Sequence, residues 1–189
     1  MALTLLASCT TTKYVPDGSY LLDEVHIETD NREVKPSALS LYVRQNPNSK
    51  WISLFKTQLY VYNWSGPDST QWANRLCRKW GDAPVIYSEK EAIRSAEEMQ
   101  KAVQNMGFMG AKVERHDQRG KKKLKLTYSV KTGRPYRVRS LRYDIGDERI
   151  GSYLQKDSIH SLLAEGMLFD VNQLDAERQR ITDWLQQNG

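Results

Sequence analysis

Two stretches of the chain, offset by 82 residues, carry the same pattern of apolar and polar positions without a gap. Residues 85–88 read VIYS and residues 167–170 read MLFD, and a helical pattern follows each. Ser88 and Asp170 are residues that favour a helix N-cap, and a glutamate or glutamine stands three positions later, as in a capping box. The pattern therefore predicts two equivalent helices.

The apolar positions of the first helix recur at helical spacing. They are separated by four or three residues and are Ala92, Ala96, Met99, Val103 and Met106. This spacing places them on one face of an α-helix. Gly107 has the place of a C-cap glycine. The second helix repeats the apolar face, but Arg178 interrupts it, so we expect shallower packing there.

Alternation with a period of two predicts the strands. Residues 108–116 and 122–131 form a predicted hairpin with its turn at 117–120. Residues 25–28 alternate before the first helical region, and residues 141–145 repeat that alternation before the second. A short amphipathic helix follows each of these strands. The first is capped by Ser37, and the second is marked by Ile150, Leu154, Ile159, Leu162 and Leu163.

These elements predict an α+β fold made of tandem β-α-α-β-β units, each a small mixed three-stranded sheet packed on two helices. Residues 1–19 are a leader and tether, and residues 20–134 form the first domain. Residues 135–189 form a second domain that stops before its closing hairpin, so we expect the protein to continue beyond Gly189.

The first domain carries an insertion at about residues 47–80 that the second copy lacks. Four of the five tryptophans lie in it. So many aromatic side chains must bury against something. The insertion is either a side lobe packed on its own domain or a docking surface for a partner. The candidate docking residues are Trp51, Phe55, Tyr60, Tyr62 and Trp64.

The N-terminus contains a candidate lipid-attachment cysteine. Residues 6–9 read LASC after a short apolar run, and this resembles the lipobox in which the cysteine is lipidated and becomes the mature N-terminus. Three threonines then begin a polar tether. The apolar run is short, and no basic residue precedes it, unlike a complete secretory signal. The alternative is an apolar tail in which Cys9 is incidental.

Composition and charge exclude several function classes. The chain is 39% apolar and 27% charged, as is usual for globular proteins. Its net charge of +5 is concentrated at residues 119–125. No aromatic residues alternate with that basic run, so nucleic-acid binding is not expected. The run is either a solvated hairpin tip or a contact with an anionic lipid surface.

The sequence offers no constellation typical of an enzyme. His26, His116 and His160 have no metal-ligand spacing, and no glycine-rich phosphate loop follows a predicted strand. Cys77 is either a reactive thiol or, as we expect, a partly buried helix residue without catalytic function. We therefore expect no catalytic activity, no cofactor and no metal.

The repeated unit resembles the POTRA domain of the BamA/TamA superfamily. Gly107, the aromatic Phe108 after it and the basic linker at 131–137 fit that pattern. With the lipobox, five short stretches look like the lipid-anchored TamA-like proteins of the Bacteroidetes group. They read KYVPDG at 13–18, YLL at 20–22, QNPNSKW at 45–51, YNWSG at 62–66 and PVIY at 84–87.

The resemblance implies a periplasmic arm that is lipid-anchored at the outer membrane and followed by a membrane barrel outside this chain. Its partners would be unfolded outer-membrane protein clients or a periplasmic partner protein. Two alternatives stay open at this point. One is a free-standing periplasmic scaffold or adhesin lipoprotein without a barrel, and the other is a hydrolase whose catalytic domain lies downstream.

In the POTRA arrangement the strand after the second helix is an edge strand. An edge strand can bind an extended chain through its unpaired main-chain groups. The predicted partner-binding edge consists of Ala111, Lys112, Val113, Glu114 and Arg115. The charged residues of this segment also have a simpler explanation, because charges on an edge strand protect it against aggregation.

Overall fold

A computed structural model describes residues 11–48, 57–66 and 70–188 of the chain. In this part of the chain, three strands and six α-helices form an α+β fold, which confirms the predicted class. The elements in order are β1 (Leu21–Thr29), α1 (Pro36–Leu39), α2 (Thr57–Trp64), α3 (Trp72–Trp80), α4 (Glu89–Asn105), β2 (Lys112–Arg119), β3 (Lys123–Lys131), α5 (Glu148–Asp157) and α6 (Val171–Asn188). Single 3-10 turns follow α1 and α5, at Ser40–Tyr42 and Ser158–His160.

The three strands form one mixed sheet in the order β1-β3-β2. Strands β2 and β3 are joined by a tight hairpin, in which the Gly120 N–H donates to the Lys123 carbonyl at 2.7 Å. Strand β1 runs parallel to β3, because residue numbers increase in the same direction along both strands between the hydrogen bonds at their two ends. The Leu21 N–H donates to the Lys122 carbonyl, and the Asp30 N–H donates to the Val130 carbonyl.

The chain divides into two compact units. Unit 1 comprises Met1–Glu28, Pro36–Ala96 and Glu114–Ser129, and unit 2 comprises Thr29–Lys35, Glu97–Val113 and Val130–Gly189. The domain bounds predicted above, 20–134 and 135–189, follow the sequence repeat and stay a prediction. Within the described residues, no helix combines the length and the apolar character that a membrane span requires.

Unit 1 has a core built on alternating residues of β3. Leu124, Leu126 and Tyr128 are buried, whereas Lys125 and Thr127 between them are exposed and half-buried, respectively. A second cluster joins Val15, Leu21 and Leu59 with the half-buried Ile86. The buried residues of these two clusters thus come from the sheet, from α2 and from the segment that precedes β1.

In unit 2, the second half of α4 is buried at Met99, Ala102 and Val103. The helix ends in a Schellman motif, in which the Phe108 N–H donates to the Val103 carbonyl at 3.3 Å. Gly107 has a φ of 96°, a conformation that costs glycine little. The C-cap prediction for this glycine is confirmed.

The hairpin strands differ from the prediction at their ends. Strand β2 begins at Lys112 and continues to Arg119, whereas residues 108–116 were expected to be extended and 117–120 to turn. A turn precedes the strand instead, with the Ala111 N–H donating to the Phe108 carbonyl at 2.8 Å. The strand continues past residue 116 because the Asp117 side chain is held by side chains on the protein side, as described below.

Three further expectations are corrected. Residues 141–145 form no strand, because no described segment forms a ladder with them. Helix α5 ends at Asp157, and the residues predicted to extend its apolar face, Ile159 and Leu162, are exposed. Helix α1 begins at Pro36, a residue suited to the first helical position, so Ser37 lies inside the helix and is not its cap.

Candidate binding edge and its surroundings

Strand β2 lies at one edge of the sheet, with β3 as its only neighbour in the sheet order of the described residues. Successive residues of an antiparallel pair alternate between pointing their main-chain groups at the partner and away from it. Since Gly120 bonds Lys123 of β3, the even-numbered residues of β2 face β3. The odd-numbered residues Val113, Arg115 and Asp117 therefore direct N–H and C=O groups outward.

A hydrogen bond confirms this register at one position. The Val113 N–H donates to the side-chain oxygen Oε1 of Gln100, on α4, at 3.3 Å. The donor of Val113 is thus used by a side chain and not by β3. Gln100 therefore covers the first outward-facing N–H of the edge with a flexible amide.

The side chains of β2 follow the same alternation. Val113, Arg115 and Asp117 are half-buried on the protein side, whereas the even-numbered residues are exposed. The outward-facing peptide groups therefore belong to residues whose own side chains turn inward. This leaves main-chain donors and acceptors at the rim of the sheet, which is the arrangement that strand addition requires.

An ionic cluster fixes the inward side of the edge in unit 1. The Arg115 guanidinium donates to Glu89 Oε1 at 2.9 Å, and its Nε lies 3.3 Å from Asp117 Oδ1. Asp117 Oδ2 accepts a hydrogen bond from the Tyr87 hydroxyl at 2.9 Å. Because Glu89 begins α4, the cluster ties the N-terminus of this helix to the middle of β2.

The Tyr87 hydroxyl acts as a permanent donor in this cluster. Burial raises the pKa of Tyr87 above its ordinary value, and its hydrogen bond to the Asp117 carboxylate raises it further. The phenol therefore stays protonated over the whole physiological range and keeps donating to Asp117. The polar end of Tyr87, the residue directly before the capping Ser88, therefore holds β2.

The predicted edge residues lie on and just before this strand. Ala111 is buried and precedes the strand, whereas Lys112 and Glu114 lie on β2 with exposed side chains. The strand continues beyond the predicted segment, and Asp117 is the outward-facing position that the prediction missed. Residues 114–119 are all polar or charged, so periodicity in the sequence gives no signal for where this strand ends.

The other edge of the sheet is partly covered. At the start of β1, the Leu22 N–H donates to the Val85 carbonyl, and the Tyr87 N–H donates to the Tyr20 carbonyl, both at 2.8 Å. Residues 85–87 thus add an antiparallel bridge to the first residues of β1. This contact makes β2 the better candidate for an incoming strand.

The candidate docking aromatics have different environments. Trp51 and Phe55 lie outside the described residues. The Tyr62 ring packs edge-on against Tyr14 with 5.6 Å between centroids, so this side chain contributes to internal packing. Tyr60 is half exposed, and Trp64 is 80% exposed at the end of α2.

The segment after the predicted lipidation site is fixed to α2. Cys9 lies outside the described residues. Four residues later, the Lys13 ammonium donates to the Asn63 and Ser65 carbonyls at 3.1 and 3.0 Å. A cation at the carbonyl end of a helix is favourable, because these carbonyls carry partial negative charge. The Tyr14 hydroxyl also donates to the Ser65 carbonyl.

Unit 2 contains a buried ionic network that the sequence pattern does not predict. The carboxylate of Glu177, on α6, accepts two bonds from Arg180, at 2.8 and 3.0 Å, and one from the Leu162 N–H at 2.9 Å. Arg180 also pairs with the buried Asp157 at the end of α5. Glu177 and Arg180 look like one turn of a solvated helix face, so only the tertiary contacts distinguish them.

No described group of three histidine, cysteine or acidic side chains has a geometry that could hold a metal ion. Cys77 is a half-buried free thiol on α3. The hydrogen-bonding groups of β2 are the chemically distinctive feature of unit 1, and they favour recognition of a polypeptide backbone.

Comparisons with known proteins assign the chain to no family. No protein-family model matches the sequence, and no curated protein matches it. Among solved structures, the chain is similar to POTRA domains 3–5 of BamA from Haemophilus influenzae. The TM-score is 0.32 with 14% identity, over 90% of this chain and 88% of that one. A TM-score at this level does not establish a shared fold.

Proposed function

We propose that this chain is the periplasmic POTRA region of an outer-membrane protein assembly or translocation factor. In this role it binds extended segments of client or partner proteins by adding them as a strand to the outer edge of β2. The chain has a binding function and performs no catalysis. Lipidation at Cys9 holds it at the periplasmic face of the outer membrane.

The outward main-chain groups of β2 are the observation that carries this proposal. Val113, Arg115 and Asp117 present N–H and C=O groups at the rim while their side chains stay on the protein side. Main-chain bonding is tolerant of the incoming sequence, which suits a module that handles many unfolded clients. The sequence resemblance to POTRA domains supports the same role.

The cluster of Arg115, Glu89, Asp117 and Tyr87 supports the proposal by keeping the edge straight. A strand that is already held in its extended form loses little conformational entropy when it receives a partner strand. Arg119, whose guanidinium lies 3.9 Å from Asp117, supplies the second cation, so the two carboxylates of the cluster are balanced by two guanidinium groups. The edge can therefore select its ligands by main-chain geometry and not by net charge.

Binding of an extended peptide tests the proposal. The probe is a fluorescein-labelled peptide of about ten alternating threonine and valine residues, the length of an outer-membrane strand. Val113→Pro removes an outward donor, from which an incoming strand must displace the Gln100 amide, and it leaves the ladder to β3 intact. It should therefore weaken binding, by at most about 1 kcal/mol for one hydrogen bond. Fluorescence anisotropy gives the affinity, and circular dichroism verifies the fold.

The Gln100→Ala variant should change the peptide affinity in the opposite direction. Removal of the amide frees the Val113 N–H for the incoming strand, so the peptide should bind more tightly. Gln104→Ala, the same change one turn further along α4, serves as the matched control and should not alter affinity. Equal peptide affinity for the parent chain, the Val113→Pro variant and the Gln100→Ala variant would remove β2 as the binding edge.

A further inference from the structure

Helix α3 is an amphipathic helix with its apolar face turned to solvent. Trp72, Leu76 and Trp80 recur every four residues, so they lie within an arc of about 80° on one face. Their side chains are 73%, 48% and 72% exposed, respectively. A helix of a globular protein normally buries such a stripe. The exposed stripe therefore needs a partner outside this unit.

The polar side of α3 faces the protein instead. Asn74 Oδ1 accepts a hydrogen bond from the Gly66 N–H at 2.7 Å, and the Arg78 guanidinium donates to the Gly66 carbonyl at 3.1 Å and to Ser65 Oγ at 3.4 Å. These contacts fix the rotation of α3 about its own axis. The tryptophans therefore face outward because the polar residues are hydrogen-bonded inward.

A close backbone contact keeps α3 in this orientation. A Cβ atom on Gly81, directly after the helix, would lie 2.4 Å from the backbone nitrogen of Tyr62 on α2. The Asp82 N–H also donates to the Gln58 carbonyl at 3.1 Å. The end of α3 is thus packed tightly on α2, and the helix cannot roll to bury its apolar stripe without breaking this packing.

The chemistry of the outward face selects a lipid bilayer as its partner. Tryptophan is enriched at membrane interfaces, where its ring lies among the headgroups. The exposed cations Arg75 and Lys79 lie beside the stripe, and residues 72–80 contain no acidic side chain. An apolar stripe flanked by cations is the pattern of a helix that lies in the plane of an anionic membrane.

The N-terminal segment reaches the same place. The Lys13 ammonium donates to the Ser65 carbonyl, and Arg78 of α3 donates to the Ser65 hydroxyl oxygen. Cys9 is four residues before Lys13, a span of at most about 14 Å for an extended chain. This sequence distance limits how far a lipid on that cysteine could be attached from Lys13. The exposed Trp64 ends α2 in the same part of unit 1.

We propose that the outer face of α3, formed by Trp72, Leu76 and Trp80 with Arg75 and Lys79 beside them, is a docking surface for a bilayer with anionic headgroups. This surface, called the tryptophan face, acts independently of strand addition at β2. Its apolar side chains enter the headgroup region, and its two cations bind the anionic lipids. It therefore fixes how unit 1 lies on the membrane.

Vesicle co-sedimentation of the chain tests the apolar part of this proposal. The parent chain should bind vesicles of phosphatidylcholine mixed with phosphatidylglycerol. A Trp72→Ser, Leu76→Ser, Trp80→Ser variant should lose at least about tenfold in binding, because its apolar face is gone. Leu41→Ser with Ile159→Ser changes residues that are 85% and 84% exposed elsewhere, and this control should bind like the parent.

The charged part has its own test. Arg75→Gln with Lys79→Gln should weaken binding to the mixed vesicles by about 25-fold, since each cation near the surface contributes about fivefold. Binding to pure phosphatidylcholine vesicles should change little. The control Arg149→Gln with Lys156→Gln removes two exposed cations from α5 and should leave binding to the mixed vesicles within about twofold of the parent.

Three outcomes would overturn the proposal. One is failure of the parent chain to bind either vesicle, and another is equal binding by the parent and the serine variant. The third is a parent chain that forms dimers without binding vesicles while the serine variant is monomeric, which would assign the tryptophan face to a second copy. All variants are first tested for an unchanged circular dichroism spectrum, and Val113→Pro should bind vesicles like the parent.

Discussion

At the scale of single residues, Gly107 lies where three backbone segments of unit 2 meet. Its carbonyl accepts from the Tyr136 N–H at 2.8 Å, and the Tyr136 carbonyl accepts from the Phe169 N–H at 2.9 Å. A Cβ atom on Gly107 would lie 3.1 Å from the nitrogen and the oxygen of Phe169. The glycine thus ends α4 and also permits the close approach of the other two segments.

Substitution of this glycine should be costly for two reasons. Gly107→Ala would place a side chain at a φ of 96° and against the backbone of Phe169. We expect a loss of about 1–3 kcal/mol in the free energy of unfolding from the backbone conformation alone. Urea denaturation followed by circular dichroism measures it. The control is Gly110→Ala, where the added Cβ meets no atom within 4 Å and which should cost at most about 1 kcal/mol.

At the scale of elements, Glu177 holds α6 to the chain that follows α5. Besides Arg180 and the Leu162 N–H, the Ser161 and Tyr143 hydroxyls donate to its carboxylate, at 3.0 and 3.2 Å. Salt bridges and hydrogen bonds from Arg180, and then the bond from Leu162, lower the pKa of Glu177 from 4.5 to about 2. This carboxylate therefore links α6 to residues 143 and 161–162 of unit 2.

The lowered pKa predicts a dependence of stability on pH. The folded state holds the Glu177 carboxylate charged down to about pH 2, whereas the unfolded chain protonates it near pH 4.5. Its stabilising contribution is therefore fully present above pH 4.5 and is lost as the pH falls from 4.5 towards 2. Each pKa unit of this difference corresponds to about 1.4 kcal/mol.

The Glu177→Gln variant measures this contribution. It should unfold at lower urea concentration at pH 7, with a loss of about 3 kcal/mol, the size that the lowered pKa of Glu177 implies, because Arg180 then keeps only Asp157 as a partner. The difference from the parent should shrink as the pH falls from 4.5 towards 2. Glu165→Gln, a change of an exposed glutamate in the same unit, is the control. A constant difference over that pH range would show that Glu177 is not charged in the folded protein.

Elements with a regular local pattern were predictable from the sequence. The stripe of α4, the Gly107 cap and the alternation of β3 depend on neighbours a few residues away, so periodicity identifies them. The strand expected at 141–145 does not form. A strand needs a neighbouring strand for its hydrogen bonds, and a local sequence pattern cannot show whether that neighbour exists. The spacing of Ile159 and Leu162 predicted a longer apolar helix face than the structure has. Helix α5 ends at Asp157, which is ion-paired with Arg180.

The same distinction applies to the candidate surfaces. The edge position of β2 could be predicted from the order of elements in the resembled unit, and the residues 111–115 largely overlap the strand. The sequence left open whether the aromatic residues of the insertion pack on their own domain or face a partner, so the outward orientation of α3 could not be predicted. Only the inward hydrogen bonds of Asn74 and Arg78 show which side of this helix faces the protein.

At the scale of the whole molecule, the two proposed surfaces have different ligands and different forces. Strand addition at β2 depends on main-chain hydrogen bonds, which salt affects little. Docking of the tryptophan face depends partly on the attraction between its cations and anionic lipids. At physiological ionic strength this attraction decays over a distance of about 8 Å, and added salt weakens it further. Raised salt should therefore separate the two activities, with vesicle binding weakened and peptide binding retained.

The lipid anchor is the remaining whole-molecule prediction, and the chain contains its own control. Cys9 follows the lipobox-like residues 6–8, whereas Cys77 lies half-buried on α3. We expect a clickable palmitate analogue to label the protein in bacteria that express its gene. Cys9→Ala should abolish the label, because the thiol is the attachment atom, and Cys77→Ala should keep it. Equal labelling of the two variants would show that Cys9 is not the anchor, and the position of Lys13 against α2 would then have only a structural role.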